Sequence, residues 1–189
     1  MPILNDRIVD QLDELLPEYI NEEGQGLKKF LSAYFDFLEK GILIYDSGVE
    51  LETIGLEDGE GATKIVELKV EQAFSSQDAD RVARGVANSP LVKTAIFAAD
   101  PNLGRILSAI GACAISRFDE NKISVQINEY VVIQNGSLVK GYEEKIARQN
   151  MAMKKIKLLI SLGVGSASRK LLFCDLSYDY VKINAEYRT

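Results

Sequence analysis

Hydrophobic and polar positions alternate in several segments of the chain after residue 64. Val66, Leu68 and Val70 alternate with charged residues, and a similar alternation runs from Ile123 to Ile127. A period of two residues predicts half-buried strands, because successive side chains of a strand point to opposite faces. Asn135-Gly136 separates two short apolar runs and favours a two-residue hairpin turn. Further strands are predicted at 92–97, 130–133, 138–139, 156–162 and 171–183.

Other segments have the helical period. Leu103, Ile106 and Ile110 fall on one face of a predicted helix. Residues 78–87 and 142–152 are also predicted to be helical, and Ser75 or Ser76 is expected to cap the first of them. Two helices are predicted within residues 6–40, and the second has one apolar stripe formed by Leu27, Phe30, Leu31, Tyr34 and Leu38. The order of elements predicts an α+β fold, a mixed α/β sandwich with a substantial sheet, preceded by an N-terminal helical hairpin.

The charge distribution divides the 189 residues into two unlike parts. Residues 1–60 carry 15 acidic and 4 basic residues, whereas residues 61–189 carry 13 acidic and 18 basic residues. The net charges of −11 and +5 indicate parts with different origins or roles. We therefore predict an acidic helical segment at 1–50 and a second domain at 51–189.

Composition excludes several classes of function. The chain has no histidine, so an imidazole general base and a histidine metal ligand are both excluded. Its two cysteines, Cys113 and Cys174, are too few for a zinc site, and free thiols are the expected state. The apolar runs are far shorter than the roughly 20 residues that cross a bilayer. We expect a soluble, cytoplasmic protein without a metal site.

Two loops and the C-terminal residues contain candidate binding groups. Glu60 stands between Gly59 and Gly61, where the backbone can turn sharply and expose the carboxylate to a ligand. A plain turn is the simpler interpretation of that motif. The Gly- and Ser-rich stretch 163–168 resembles a phosphate cradle, but no clear helix follows it, which favours a tight turn between strands. Asn184 and Thr189 continue an ordered pattern up to the C-terminus and are candidates for a site.

Five collinear motifs together carry a resemblance to a known family. They are DGEGATK at 58–64, VANSPLVKTAIF at 86–97, DPNLGRIL at 100–107, CDLS at 174–177 and YVKINAEYRT at 180–189. In this order they resemble the C-terminal β chain of the bifunctional ornithine acetyltransferase/glutamate N-acetyltransferase family of arginine biosynthesis. The resemblance covers about residues 56–189.

The resemblance implies an acyltransferase fold and activity. Family members are precursors that cleave themselves before a threonine, which becomes the N-terminal nucleophile of the β chain and passes acetyl from N-acetylornithine to glutamate. It implies an α-chain partner and a homo-oligomer without a cofactor, although acetyl-CoA is a possible acetyl donor. No nucleic-acid or membrane partner is expected, because the chain is acidic overall and its apolar runs are short. By resemblance, Glu60, Asn184 and Thr189 match substrate-binding residues. No catalytic residue is assigned to this chain.

Two departures limit what the resemblance implies. The sequence contains no threonine followed by Ser/Thr-Asn-Asp-Thr, and the α chain is absent. We therefore expect the chain alone to lack acetyl-transfer activity. Residues 1–50 do not resemble the family, and parts of 15–39 faintly resemble a segment of tailed-phage virion proteins. The alternative function is that of a non-catalytic structural or interaction protein that keeps the fold, with a phage as one candidate source.

Overall fold

The computed structural model describes residues 42–44 and 61–186, and the predicted N-terminal helical hairpin lies outside them. The described strands are β1 Ile42–Ile44, β2 Ile65–Ala73, β3 Ser124–Ile127, β4 Tyr130–Gln134, β5 Ser137–Leu138, β6 Lys155–Ser161 and β7 Ala167–Cys174. The helices are α1 Ser76–Ala87, α2 Pro90–Phe97, α3 Leu103–Gly111, α4 Glu144–Met151 and α5 Tyr178–Glu186, with a short 3-10 turn at Glu120–Lys122. This mixed α+β architecture confirms the predicted fold class.

The described strands form one sheet in the order β1-β7-β2-β6-β3-β4-β5. Strands β2 and β6 are parallel, and the other neighbouring pairs are antiparallel. A row of apolar residues crosses the four central strands, because Leu68 pairs with Leu171 on one side and with Leu158 on the other, and Leu158 pairs with Ile127. These four side chains are at most 3% exposed. The alternation of β2 therefore divides the sheet into an apolar face and a polar face.

The apolar face is covered by helices. Helix α1 packs on β2 and β7, and α4 packs on β3 and β4. Val82 and Val86 of α1 are fully buried, as is Ala147 of α4. The other face of β2 carries Glu67, Lys69 and Glu71, none of which is fully buried. Among the described residues, no helix has the length and apolar character needed to cross a bilayer.

Several local predictions are confirmed. Asn135 and Gly136 have φ angles of 51° and 72°, which are the positive values that a tight hairpin turn between β4 and β5 requires. Helices α1, α3 and α4 lie within one or two residues of their predicted positions at 78–87, around 103–110 and at 142–152. Between the two candidate caps, Ser75 is the N-cap of α1, and its hydroxyl accepts a hydrogen bond from the backbone N of Asp78 at 3.1 Å.

The strand predicted at 92–97 is wrong, since α2 covers Pro90–Phe97. Three consecutive apolar residues, Ala95 to Phe97, fit a buried strand and a buried helix equally well. The choice is made at the start of the segment, where the Ser89 hydroxyl accepts from the backbone N of Val92 at 3.4 Å and Pro90 occupies the first turn. Proline favours that position because its fixed φ suits a helix and its missing N–H needs no partner.

The strand predicted at 171–183 is also wrong in its second half. Strand β7 ends at Cys174, and α5 begins at Tyr178. The Ser177 hydroxyl accepts a hydrogen bond from the backbone N of Tyr180 at 3.0 Å, which is the geometry of a helix N-cap. Apolar residues alternate in part of the sequence Tyr178–Ile183, which is why the pattern predicts a strand there. The Ser177 cap instead favours a helix.

Replacing Ser75 with alanine is expected to lower the free energy of unfolding by about 1 kcal/mol, because the N-terminal amides of α1 lose their side-chain acceptor. Ser76→Ala is the matched control, since Ser76 is an exposed residue of the same helix and should change stability by at most about 0.5 kcal/mol. Urea unfolding followed by circular dichroism measures both variants. Equal losses for the two variants would contradict the assignment of Ser75 as the cap.

Candidate functional site

Asp175 and Ser177 lie in the short connection between β7 and α5 and contact the segment that precedes β2. The Asp175 carboxylate accepts from the backbone N of Thr63 at 2.8 Å, from the Thr63 hydroxyl at 2.5 Å and from the backbone N of Lys64 at 3.0 Å. Asp175 is only 2% exposed. A buried carboxylate is stable when its lone pairs meet several donors, and these three contacts meet that requirement.

Ser177 extends the same contact to Gly61. Its hydroxyl donates to the carbonyl oxygen of Gly61 while accepting from the backbone N of Tyr180. Gly61 has a φ of 72°, and a Cβ at this position would lie 2.5 Å from the backbone N of Tyr180. Only glycine fits this close approach of two backbones without displacement. The residue that follows Glu60 is therefore packed directly on the first turn of α5.

Lys64 is the next buried charged residue of this region. Its ammonium donates to the carbonyl oxygens of Ile96 at 2.5 Å and Phe97 at 3.0 Å, at the C-terminus of α2. A cation at this end of a helix satisfies carbonyls that have no partner within the helix and interacts favourably with the helix dipole. Burial lowers the pKa of Lys64, and the nearby Asp175 carboxylate opposes that shift.

Lys93 and Cys174 complete a group of ionisable side chains around Asp175. Burial lowers the pKa of Lys93, while Cys174 and Asp175 raise it. Burial also raises the pKa of the Cys174 thiol to about 11, with Lys93 opposing the shift and Asp175 adding to it. Cys174 is thus protonated at neutral pH and is a poor nucleophile there. Both Cys113 and Cys174 are free thiols, as expected from the sequence.

The three residues predicted to bind substrate are located only in part. Glu60 and Thr189 lie outside the described residues, and Asn184 belongs to α5, where its backbone is described. Asn184 is four residues beyond Tyr180, which is about 6 Å along a helix axis. The structure therefore brings the helix of Asn184 against the residue next to Glu60, although these positions are more than 120 residues apart in the chain.

The sequence analysis did not single out Thr63, Lys64, Lys93, Asp175 or Ser177. All five lie inside the motifs that carry the family resemblance, at 58–64, 86–97 and 174–177. The one signal in the sequence was that Asp175 and Ser177, an acidic and a hydroxyl residue, come directly after the end of an apolar strand. Nothing local indicates that their partners come from the segment before β2.

The Gly- and Ser-rich stretch 163–168 leads from β6 into β7. Gly163 has a φ of 65° and the chain turns there from β6 into β7, which confirms a turn between strands. A polar depression of about 430 Å³ lies beside it, lined by side chains that include Glu71, Lys122 and Gln126, at the opposite end of β2 from Lys64.

Within residues 42–44 and 61–186, no group of three His, Cys, Asp or Glu residues is close enough to hold a metal ion.

Comparison with known proteins identifies relatives along most of the chain. The model of the ArgJ family matches residues 47–189. The arginine biosynthesis bifunctional protein ArgJ of Methylococcus capsulatus is 44% identical over 140 residues, which are 74% of this chain and 34% of that protein. The ArgJ protein of Pseudomonas fluorescens is 38% identical over 174 residues, which are 92% of this chain and 40% of that protein. This chain spans about a third of the length of the first of these relatives and 40% of the second.

The family match begins nine residues before the predicted start of the resemblance at 56. The alignment with the Pseudomonas fluorescens protein covers so much of the chain that it includes part of residues 1–50. Part of residues 1–50 therefore aligns with a member of the family. These relatives give no support to a resemblance to virion proteins. The domain division at residue 50 stays a prediction.

A solved structure resembles the fold as well as the sequence. The crystal structure of the arginine biosynthesis bifunctional protein ArgJ from Bacillus halodurans superimposes with a TM-score of 0.65 at 39% sequence identity. The match covers 69% of this chain and 61% of that one. Sequence and fold therefore agree with the resemblance that the five motifs carried, and the chain belongs to the ArgJ family.

Proposed function

We propose that this chain is a β-chain-like portion of an ornithine acetyltransferase/glutamate N-acetyltransferase and contributes substrate-binding residues to acetyl transfer from N-acetylornithine to glutamate. Its membership of the ArgJ family supports the reaction class. The observation that carries the site is the packing of Gly61, next to Glu60, on the first turn of the helix that contains Asn184. This contact between Gly61 and the helix of Asn184 supports a shared site for Glu60 and Asn184.

The chemistry of these residues suits amino-acid substrates. The Glu60 carboxylate is proposed to hold the ammonium group of the substrate, since hydrogen bonds between opposite charges are about twice as strong as neutral ones. The amide of Asn184 both donates and accepts, so it can orient the polar groups of the same molecule. Thr189 is proposed to complete the site from the C-terminus. The substrates need no cofactor, and acetyl-CoA is an alternative acetyl donor.

Acetyl transfer itself requires groups that this sequence lacks. The motif of the N-terminal threonine nucleophile is absent, and no residue of the chain is assigned its role. An α-chain-like partner and a homo-oligomer, both in the cytoplasm, are therefore part of the proposal. The purified chain alone is expected to bind substrate without transferring acetyl. Acetyl transfer from N-acetylornithine to glutamate by the chain alone would contradict this division of roles.

Glu60→Gln is expected to weaken the binding of L-glutamate and N-acetyl-L-ornithine to the full chain roughly 10- to 100-fold, because a hydrogen bond to a charged group contributes about 1.5–3 kcal/mol. Isothermal titration calorimetry of the 189-residue chain measures the effect. Glu129→Gln is the matched control, since Glu129 is an exposed carboxylate of the turn between β3 and β4 and should leave the affinity unchanged.

The missing nucleophile motif also favours a second candidate, a non-catalytic structural or interaction protein that keeps the family fold. The same titration separates the two. The second candidate predicts no saturable binding of either amino acid, whereas the proposed function predicts binding that depends on Glu60. Equal affinities of the parent chain and Glu60→Gln would remove Glu60 from the site.

A further inference from the structure

The Asp175 carboxylate binds the two residues that precede β2. Asp175 accepts three hydrogen bonds from two successive residues, Thr63 and Lys64, which are more than 110 residues away in sequence. A fourth hydrogen bond runs back from the backbone N of Asp175 to the carbonyl oxygen of Lys64 at 3.2 Å. The two strands β2 and β7 are already paired up to Ile65 and Cys174. The carboxylate therefore continues the contact beyond the sheet, where strand pairing no longer orders the chain.

One hydroxyl then joins this segment to the helix. Ser177 donates to the carbonyl of Gly61 and caps α5 through the backbone N of Tyr180. The same oxygen thus contacts the residue after Glu60 and the turn of α5 that precedes Asn184. A shift of either segment breaks one of its two hydrogen bonds. The two backbones approach so closely that a Cβ at position 61 would lie 2.5 Å from the backbone N of Tyr180.

We propose that Asp175 and Ser177 are positioning residues of the substrate-binding site. They hold the Gly61–Lys64 segment, which follows Glu60 in the sequence, at a fixed place against the first turn of the helix that carries Asn184. Neither residue touches the substrate in this proposal. It rests on the proposed function, because the ligand is the amino-acid substrate of that site. Binding groups that are misplaced by about 1 Å lose much of their effect, so residues that fix their position matter for affinity.

A merely structural role makes a different prediction, and the chain provides a matched control for it. Asp78 is also buried, at 1% exposure, and its carboxylate accepts from the backbone N of Ser116 at 3.0 Å. It lies at the start of α1, after β2 has crossed the sheet, and a nine-residue strand is about 30 Å long. Asp78→Ala removes a comparable buried acceptor at the far end of the strand.

The test measures affinity and stability together on the full 189-residue chain. Asp175→Ala is expected to weaken the binding of L-glutamate and N-acetyl-L-ornithine about tenfold or more in calorimetry, while Asp175→Asn stays within about threefold. The asparagine rescues because its amide oxygen still accepts from both backbone N–H groups and its amide nitrogen can donate to the Thr63 hydroxyl. Ser177→Ala is expected to weaken binding in the same direction, and Ser177→Thr to restore it.

Asp78→Ala is expected to lower the urea midpoint as Asp175→Ala does but to leave the affinity of the folded chain unchanged. If Asp78→Ala weakens binding as much as Asp175→Ala, the effect is general destabilisation and the proposal is overturned. It is likewise overturned if Asp175→Ala and Ser177→Ala bind like the parent chain. Failure of the proposed function has a different signature, namely a parent chain that binds neither amino acid or binds them independently of Glu60.

Discussion

Replacing Phe173 with alanine is expected to lower the free energy of unfolding by about 3–5 kcal/mol. Phe173 is 0% exposed and lies in β7, where it pairs with Val66 of β2 and with Ile42 of β1. Removing the ring takes apolar surface from the core and leaves a cavity that closely packed neighbours fill only in part. Chemical unfolding followed by circular dichroism gives the difference directly.

The control for this prediction is Phe118→Ala. Phe118 is 48% exposed, so its removal should change stability by at most about 0.5 kcal/mol. A domain of ordinary stability has about 5–15 kcal/mol in total, so the Phe173 variant is expected to be close to unfolding at elevated temperature. A loss below about 1 kcal/mol for Phe173→Ala would show that β7 is not at the centre of the core.

The Cys174 thiol is expected to make the protein less stable as the pH rises from 9 to 11. Its pKa is about 11 in the folded chain against 9.0 for an ordinary thiol, mainly because of burial. Below pH 9 both states hold the proton, and between the two values the folded state alone still holds it. Stability therefore falls as the pH rises through this window, by roughly 2–3 kcal/mol.

Cys174→Ala isolates the thiol from its neighbours. Burial lowers the pKa values of Lys64 and Lys93, so their contributions have the opposite sign and stability rises as the pH approaches 10.5. We expect the stability difference between the parent chain and Cys174→Ala to shrink by about 2–3 kcal/mol between pH 8 and pH 11. Val92→Ala, a buried change without a titrating group, should give a difference that does not vary with pH. A constant difference for Cys174→Ala would contradict the raised pKa.

Local pattern predicted the strongly periodic elements well. Strands β2, β3 and β6 and helices α1 and α3 have clear periods of two or 3.6, and the structure places each within a few residues of its prediction. The errors at 92–97 and in the second half of 171–183 fall on segments with a short apolar run or a weak alternation. In both, a serine cap at Ser89 or Ser177 selects the helix. The cap is a single hydrogen bond, so it leaves only a weak trace in a hydrophobicity pattern.

The candidate site was predicted through resemblance and not through pattern. Glu60, Asn184 and Thr189 came from the family motifs, and no periodicity distinguishes them. The residues that support this region were missed because their partners are distant. The role of Asp175 is visible only once Thr63 and Lys64 lie beside it. The role of Lys64 is visible only once its ammonium lies beside the last carbonyls of α2. These contacts depend on how β2, β7 and α2 are arranged in space.

The sequence by itself determined the class of fold, the hairpin at Asn135-Gly136 and the family, because each of these depends on interactions or motifs within a few residues of chain. It also excluded histidine chemistry outright. Only the tertiary structure decided that the segment after Glu60 meets the helix of Asn184. That meeting requires β2 and β7 to pair as neighbours and brings together residues more than 110 positions apart. Patterns of short period hold no information on the partner of a distant segment, because that choice is made by packing of the whole sheet.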